Sequence, residues 1–121
     1  MGSLEAVSSR IVLFDLDDPL SNDLSAALRR MPQVREITPT ASGRDADLVF
    51  CPVNPGSLAR ARQLYPETPV VVVSRLPEVE GWLDALEAGA ADYCAAPFEL
   101  VQVNWILQTH LAQTKATQVA A

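Results

Sequence analysis

The stretch Leu48-Val-Phe-Cys51-Pro-Val-Asn54-Pro55-Gly56 reads as an apolar strand running straight into a helix-opening turn. Consecutive apolar residues, rather than alternating ones, fit a strand covered on both faces, as in a parallel sheet. Asn54 is a favoured helix cap and Pro55 suits the first helical position. Leu58, Ala61 and Tyr65 continue on one side of a helix that ends before Pro66. A strand followed at once by a helix is half of a βαβ unit, and the flanking sequence repeats the alternation.

Upstream, Arg10-Ile-Val-Leu-Phe14 is a second apolar strand, followed directly by the acidic residues Asp15, Asp17 and Asp18. Ser21 is a candidate cap for a helix whose apolar positions are Leu20, Leu24, Ala27, Leu28 and Met31, stopped by Pro32. A short strand, Val34 to Thr38, ends at Pro39. Only Thr40 to Asp47 then separates it from Leu48. Those residues span roughly 26 to 29 Å when extended, whereas a parallel crossover usually takes a dozen or more residues including a helix. The second helix is therefore expected to be shortened or missing.

Downstream, Val70-Val-Val-Val73 is the clearest buried strand. Leu76-Pro77 leads into a helix with Glu78 and Glu80 in its first turn, which suits the helix dipole; its apolar face is Val79, Trp82, Leu83 and Leu86, and Gly89 supplies the C-cap. Tyr93-Cys-Ala95 is a short fifth strand broken by Pro97. The last helix runs from Glu99 past Leu111, with Leu100, Val103, Leu107 and Leu111 facing the sheet and Val101 and Trp105 turned roughly 100 to 140° away. The pattern predicts an α/β fold, a doubly wound five-stranded parallel sheet over residues 10–112. Residues 1–9 are expected to be a disordered N-terminus, and 113–121 a tail or a linker to a possible output domain.

At 121 residues the chain fits one domain, and a domain of this size buries roughly two-thirds of its unfolded surface without a staple. No apolar run approaches the roughly 20 residues of a membrane helix, and no secretory signal opens the chain. A cytoplasmic protein is expected, with no membrane contact. The net charge of −6 argues against direct nucleic-acid binding, because such binding draws on Lys and Arg to neutralise phosphates. Arg29-Arg30, Arg60 and Arg62 read as solvated helix faces. Cys51 and Cys94 fall on strands separated by a third, hence roughly 9 to 10 Å apart, too far for a disulfide. A thiol at Cys51 beside a helix N-terminus is either a reactive sensor or a buried inert group. His110 has no Cys or His at ligand spacing, and neither a Gly-rich phosphate loop nor a Ser/His/Asp arrangement is present. No cofactor is expected.

Asp17-Asp18-Pro19-Leu20 after the first strand, Asp47-Leu48-Val49 into the third, Pro69-Val-Val-Val-Val-Ser74 for the fourth, and Leu86-Glu-Ala-Gly89-Ala-Ala-Asp92-Tyr93 followed by Pro97-Phe98-Glu99-Leu100 together resemble the receiver domain of response regulators, the CheY-like family, over nearly the whole chain. The resemblance implies a flavodoxin-like sheet in strand order 2-1-3-4-5. It also implies an acidic pair holding Mg2+ after the first strand, an acceptor Asp after the third, a Ser or Thr after the fourth and a Lys before the Pro after the fifth.

Carried onto this chain, the acidic pair falls on Leu16 and Asp17, or on Asp17 and Asp18 after a slip of one residue. The acceptor position is Pro52 when counted forward from Asp47 and Cys51 when counted back from Pro55. Ser74 matches the switch hydroxyl, and Ala96 stands where the Lys should be. Phosphoryl transfer needs an in-line nucleophilic oxygen, a divalent cation and a fixed positive charge. Cys51 or Pro52 removes the nucleophile and a metal ligand, and Ala96 removes the charge.

The expected function is a phosphorylation-independent signalling interaction module, a pseudo-receiver of a two-component response regulator, and not an enzyme. It would dimerise or dock a protein partner through Val101, Trp105 and Tyr93, where the resemblance places the dimerisation surface of active receivers. One alternative is an atypical receiver that still takes phosphate on Asp15, Asp17 or Asp18, residues that are also weak Mg2+ candidates. The other is a small-ligand domain, with its site at the C-terminal edge of the sheet.

Overall fold

Apolar strands that carry hydrophobic residues on both faces need helices on both sides of the sheet, and the chain supplies them. In the computed structural model, residues 9–38, 46–75 and 79–120 are described, with side chains as far as Leu111. The elements are β1 (Ser9–Leu13), α1 (Asp18–Leu28), β2 (Val34–Thr38), β3 (Leu48–Pro52), α2 (Pro55–Leu64), β4 (Val70–Ser74), α3 (Val79–Glu87), β5 (Asp92–Ala95) and α4 (Leu100–Ala120). The sheet order is β2-β1-β3-β4-β5, and every pair is parallel. This is the doubly wound arrangement expected from the sequence. The short link assigned to the missing crossover helix lies largely outside the described residues, at 39–45.

The two faces of the sheet carry separate cores. Ile11, Leu13, Leu48, Phe50, Val71, Val73 and Cys94 point one way and pack with Leu24 and Leu28 of α1 and Val103, Ile106 and Leu107 of α4. Val12, Val49, Cys51, Val70 and Val72 point the other way, toward Leu58 and Ala61 of α2 and Ala85 of α3. Alternation along each strand therefore feeds both cores at once, which is why no strand residue between Leu48 and Cys51 is polar. Cys51 and Cys94 are free and buried, on β3 and β5 with β4 between them.

Three local expectations are corrected. The cap of α1 is Asp17, not Ser21: Asp17 Oδ1 accepts from Leu20 N at 2.9 Å, with Pro19 in the first turn. An acidic cap followed by proline starts the helix earlier, and Ser21 N already donates to Asp17 O at 2.8 Å as part of the first turn. Along α3 the apolar face is turned largely outward, with Val79 60% and Leu83 55% exposed, while Ala85 is buried and Trp82 half-buried. The reason is that Trp82 reaches over the edge strand to stack on Tyr93, centroids 4.2 Å apart and planes 12° from parallel. That rotation seats the small Ala85 on the sheet. Leu100, expected on the sheet-facing stripe of α4, is 38% exposed at its first turn, and Ile106 and His110 complete the buried stripe instead.

Candidate functional site

The C-terminal edge of a doubly wound sheet, where each strand hands over to a helix or turn, is where ligands are usually bound in such folds. Here that edge gathers the β1–α1 loop, the β3–α2 turn, and the ends of β4 and β5. After β1 the chain is fixed by Phe14 N donating to Phe50 O at 2.7 Å. Asp15 then takes a left-handed backbone, φ 65°, a conformation Asp tolerates better than most residues. Its Oδ2 accepts from Ser57 Oγ at 2.5 Å and from Arg60 Nη2 at 2.8 Å. Ser57 is positioned for this by the start of α2, where Asn54 Oδ1 accepts from Gly56 N and Ser57 N at 2.8 and 3.1 Å. The Arg60 guanidinium also lies over the Phe14 ring, 5.6 Å from its centroid.

Asp17 is occupied in the same way. Its Oδ1 caps α1 and accepts from Arg75 Nη2. The Arg75 hydrogen bond, then the cap, hold the Asp17 carboxyl below its ordinary value. Asp18 is exposed in the first turn of α1, where a negative charge suits the helix dipole. Both ion pairs lie in solvent and contribute little to stability. Their effect is local: each engages a carboxylate that would otherwise be open to a cation. Among the described residues no three His, Cys, Asp or Glu side chains gather as a metal-binding group.

Between these acids the surface is apolar. Leu16 and Ala96 are half-buried and pack against the core shared by α1 and α4. Pro52, the last residue of β3, is half-buried opposite Val73. Cys51, one residue earlier, points into the other core, where burial first and the Asp15 charge second push its thiol up to about 12. Ser74 is buried at the end of β4, and its carbonyl accepts from Ala96 N at 2.9 Å. The two candidate acceptor positions thus face opposite sides of the sheet. The structure brings Leu16 and Ala96 to one core and leaves Cys51 in the other.

Arg60 and Arg75 are the residues that sequence reasoning missed here. Arg60 stands three residues after Ser57, so both lie on one helix face, and Ser57 is two residues past a strong cap; that spacing was the available signal. Arg75 follows Ser74 directly, and nothing in the sequence ties it to Asp17.

On the other flank, Val101 and Trp105 are one turn apart on α4 and 81% and 58% exposed. Tyr93 is not brought to them by any ring contact; its partner is Trp82. His110, on the buried side of α4, places Nε2 3.1 Å from Asp92 Oδ2 at the start of β5. A cleft of about 200 Å3 lies between α2 and α3, lined chiefly by Leu58, Ala85 and Ala88, with Asn54 and Asp84 as its polar residues. Among the described residues no helix is long and apolar enough to cross a membrane.

No family model matches the chain. In sequence it is 30% identical to the regulatory protein AtoC of Escherichia coli, over 85% of this chain and 25% of that protein. It is 31% identical to the transcriptional regulatory protein ZraR of Salmonella typhimurium, over 59% of this chain and 18% of that one. The chain thus spans about a quarter or less of the length of these curated relatives.

In structure it superposes on NtrX from Brucella abortus with a TM-score of 0.77 at 20% identity, covering 93% of this chain and 29% of that one. It superposes on a putative response regulator from Chloroflexus aurantiacus with a TM-score of 0.73 at 24% identity, covering 87% and 98%. A signal receiver domain of an HD domain-containing protein from Pseudomonas fluorescens gives 0.72 at 20% identity, covering 94% and 93%. The relatives in sequence are thus regulatory proteins, and the neighbours in structure include a putative response regulator and a signal receiver domain.

Proposed function

We propose that this chain, a receiver-type domain of the two-component response regulators, is a phosphorylation-independent interaction module that signals by docking through the edge built from α3, β5 and α4. It acts as a binding module rather than a catalyst. What supports the reading above all is the filling of the C-terminal edge: Leu16 and Ala96 pack onto the core where the resemblance expects an acid and a lysine. The remaining acids point the same way, since Asp15 and Asp17 each accept from an arginine. A cation arriving there would compete with a guanidinium at both of these carboxylates. Cys51, buried and protonated, offers no anionic ligand at neutral pH. The docking half of the reading is supported by Trp105 and Val101, a large aromatic and its neighbour held in solvent on α4, the kind of anchor that dominates binding energy. Two unpaired buried thiols suit a reducing compartment, and the proposed setting is the cytoplasm.

Incubation with acetyl phosphate and Mg2+, followed by intact mass, tests the first half. The expected mass is unchanged. A gain of one phosphate would mean that an Asp of the β1–α1 loop accepts it and that the domain is a working, if atypical, receiver.

A further inference from the structure

The partner class can be read from charge. From Val79 to Leu111 the sequence contains Glu80, Asp84, Glu87, Asp92 and Glu99, and neither Lys nor Arg. This one run supplies α3, β5 and the described side chains of α4. It forms one edge of the molecule, because β5 is the last strand of the sheet, with Ala85 of α3 in the core on one face and Val103 of α4 in the core on the other. On α3 the exposed stripe Val79, Leu83 and Leu86 is bordered by acids: Glu80 lies three residues before Leu83 and Glu87 four after it, so both neighbour it on the helix surface. On α4 the exposed pair is Val101 and Trp105. The two nearest described cations are already engaged. Arg62 reaches over from α2 to donate to Ala88 O, and Arg75 is engaged by Asp17.

We infer that this edge binds a heterologous basic, amphipathic segment, a helix or strand presenting apolar residues flanked by Lys or Arg, and not a second copy of the chain. An isologous pairing would set Glu80, Asp84 and Glu87 against the same acids of the second copy, with Arg62, held at Ala88 O on the end of α3, as the one described cation beside them, and like charges across an interface select against a partner. A basic amphipathic segment meets both features: its apolar side covers Leu83 and Trp105, and its cations face Glu80 and Glu87. The inference rests on the docking reading above and narrows it to one kind of partner.

The probe is a synthetic 18-residue amphipathic helix of Leu and Lys, with a Leu/Glu peptide of the same pattern as control, titrated into the intact chain by fluorescence anisotropy beside light scattering. The expected result is a monomer that binds the Leu/Lys peptide and not the Leu/Glu one. The affinity should fall about tenfold or more in the Glu80→Gln, Glu87→Gln double variant and in Trp105→Ala, and be unchanged in Glu36→Gln, on the opposite edge strand. These exposed substitutions leave the core intact, so a folded control is available for each. Equal weakening by Glu36→Gln would reduce the effect to net charge and overturn the inference. A dimer that Trp105→Ala dissolves would overturn the choice of partner while leaving the docking reading standing. A phosphate gained from acetyl phosphate would remove the silent-receiver reading itself, and is scored in a separate assay.

Discussion

Burial decides what the Cys51 thiol can do. A thiol next to a helix start is activated when the helix dipole and a nearby cation stabilise the thiolate; here the nearest named charge is the Asp15 carboxylate, and desolvation acts in the same direction. Cys94 is pushed up to about 12 as well, chiefly by burial. Both thiols should therefore resist Ellman's reagent in the native protein at pH 8 and react in denaturant. The sign for stability follows. The folded state keeps its thiols protonated while the unfolded chain begins to ionise near 9.0, so their contribution is complete below that pH and is lost as the pH rises toward 12. Asp17 runs in reverse. Its pKa is depressed below 3.8, so the Arg75 pair adds stability above that value and loses it as the pH falls further. In urea titrations the difference between wild type and Arg75→Gln should be present at pH 7 and vanish in strong acid. The buried thiols were legible from their apolar strands, but the pairing of Asp17 was not, because Asp15 and Asp17 take their partners from Arg60 and Arg75, which are distant in sequence.

The start of α2 was the easier one to read, that of α1 having been placed at Ser21 instead of Asp17. Asn54-Pro55 announced α2, and the cap is there, with two backbone N–H groups on one side-chain oxygen. Asn54→Ala should cost about 1 kcal/mol, read as a lower urea midpoint with an unchanged slope. Gly89 closes α3 at φ 108°, and a Cβ there would run into the Arg62 guanidinium. Gly89→Ala should lower the melting temperature, while Leu83→Ser, on the exposed stripe, should move stability by less than about 0.5 kcal/mol. The orientation of α3 was the element the sequence concealed. Periodicity locates an apolar face but does not say which face a sheet accepts; here Ala85 is seated on the sheet and Trp82 stacks on Tyr93, while Val79 and Leu83 stay exposed.

For the molecule as a whole, the arrangement was legible because three short runs apolar on both faces and two edge runs, separated mostly by helical periodicity, leave few parallel topologies. The largest predicted loss of stability belongs here: Leu24→Ala, wholly buried between α1 and the sheet, should cost about 2 to 5 kcal/mol in urea unfolding. The site at the sheet's edge was only half legible: the resemblance names Cys51, Pro52 and Ala96 as its positions, but the packing of Leu16 and Ala96 on the core and the arginines on Asp15 and Asp17 could not be read from the residues. That filling has a consequence for descent. Leu16 and Ala96 both lean on the core beneath them. On the proposed reading, recovering phosphoryl transfer would need an acid at 16, a carboxylate at the end of β3 and a lysine at 96. Each change alone would set a charge against packed hydrocarbon and restore no chemistry. On that same reading every single-residue intermediate would be less stable and no more active, so the silent state could not be reversed one residue at a time.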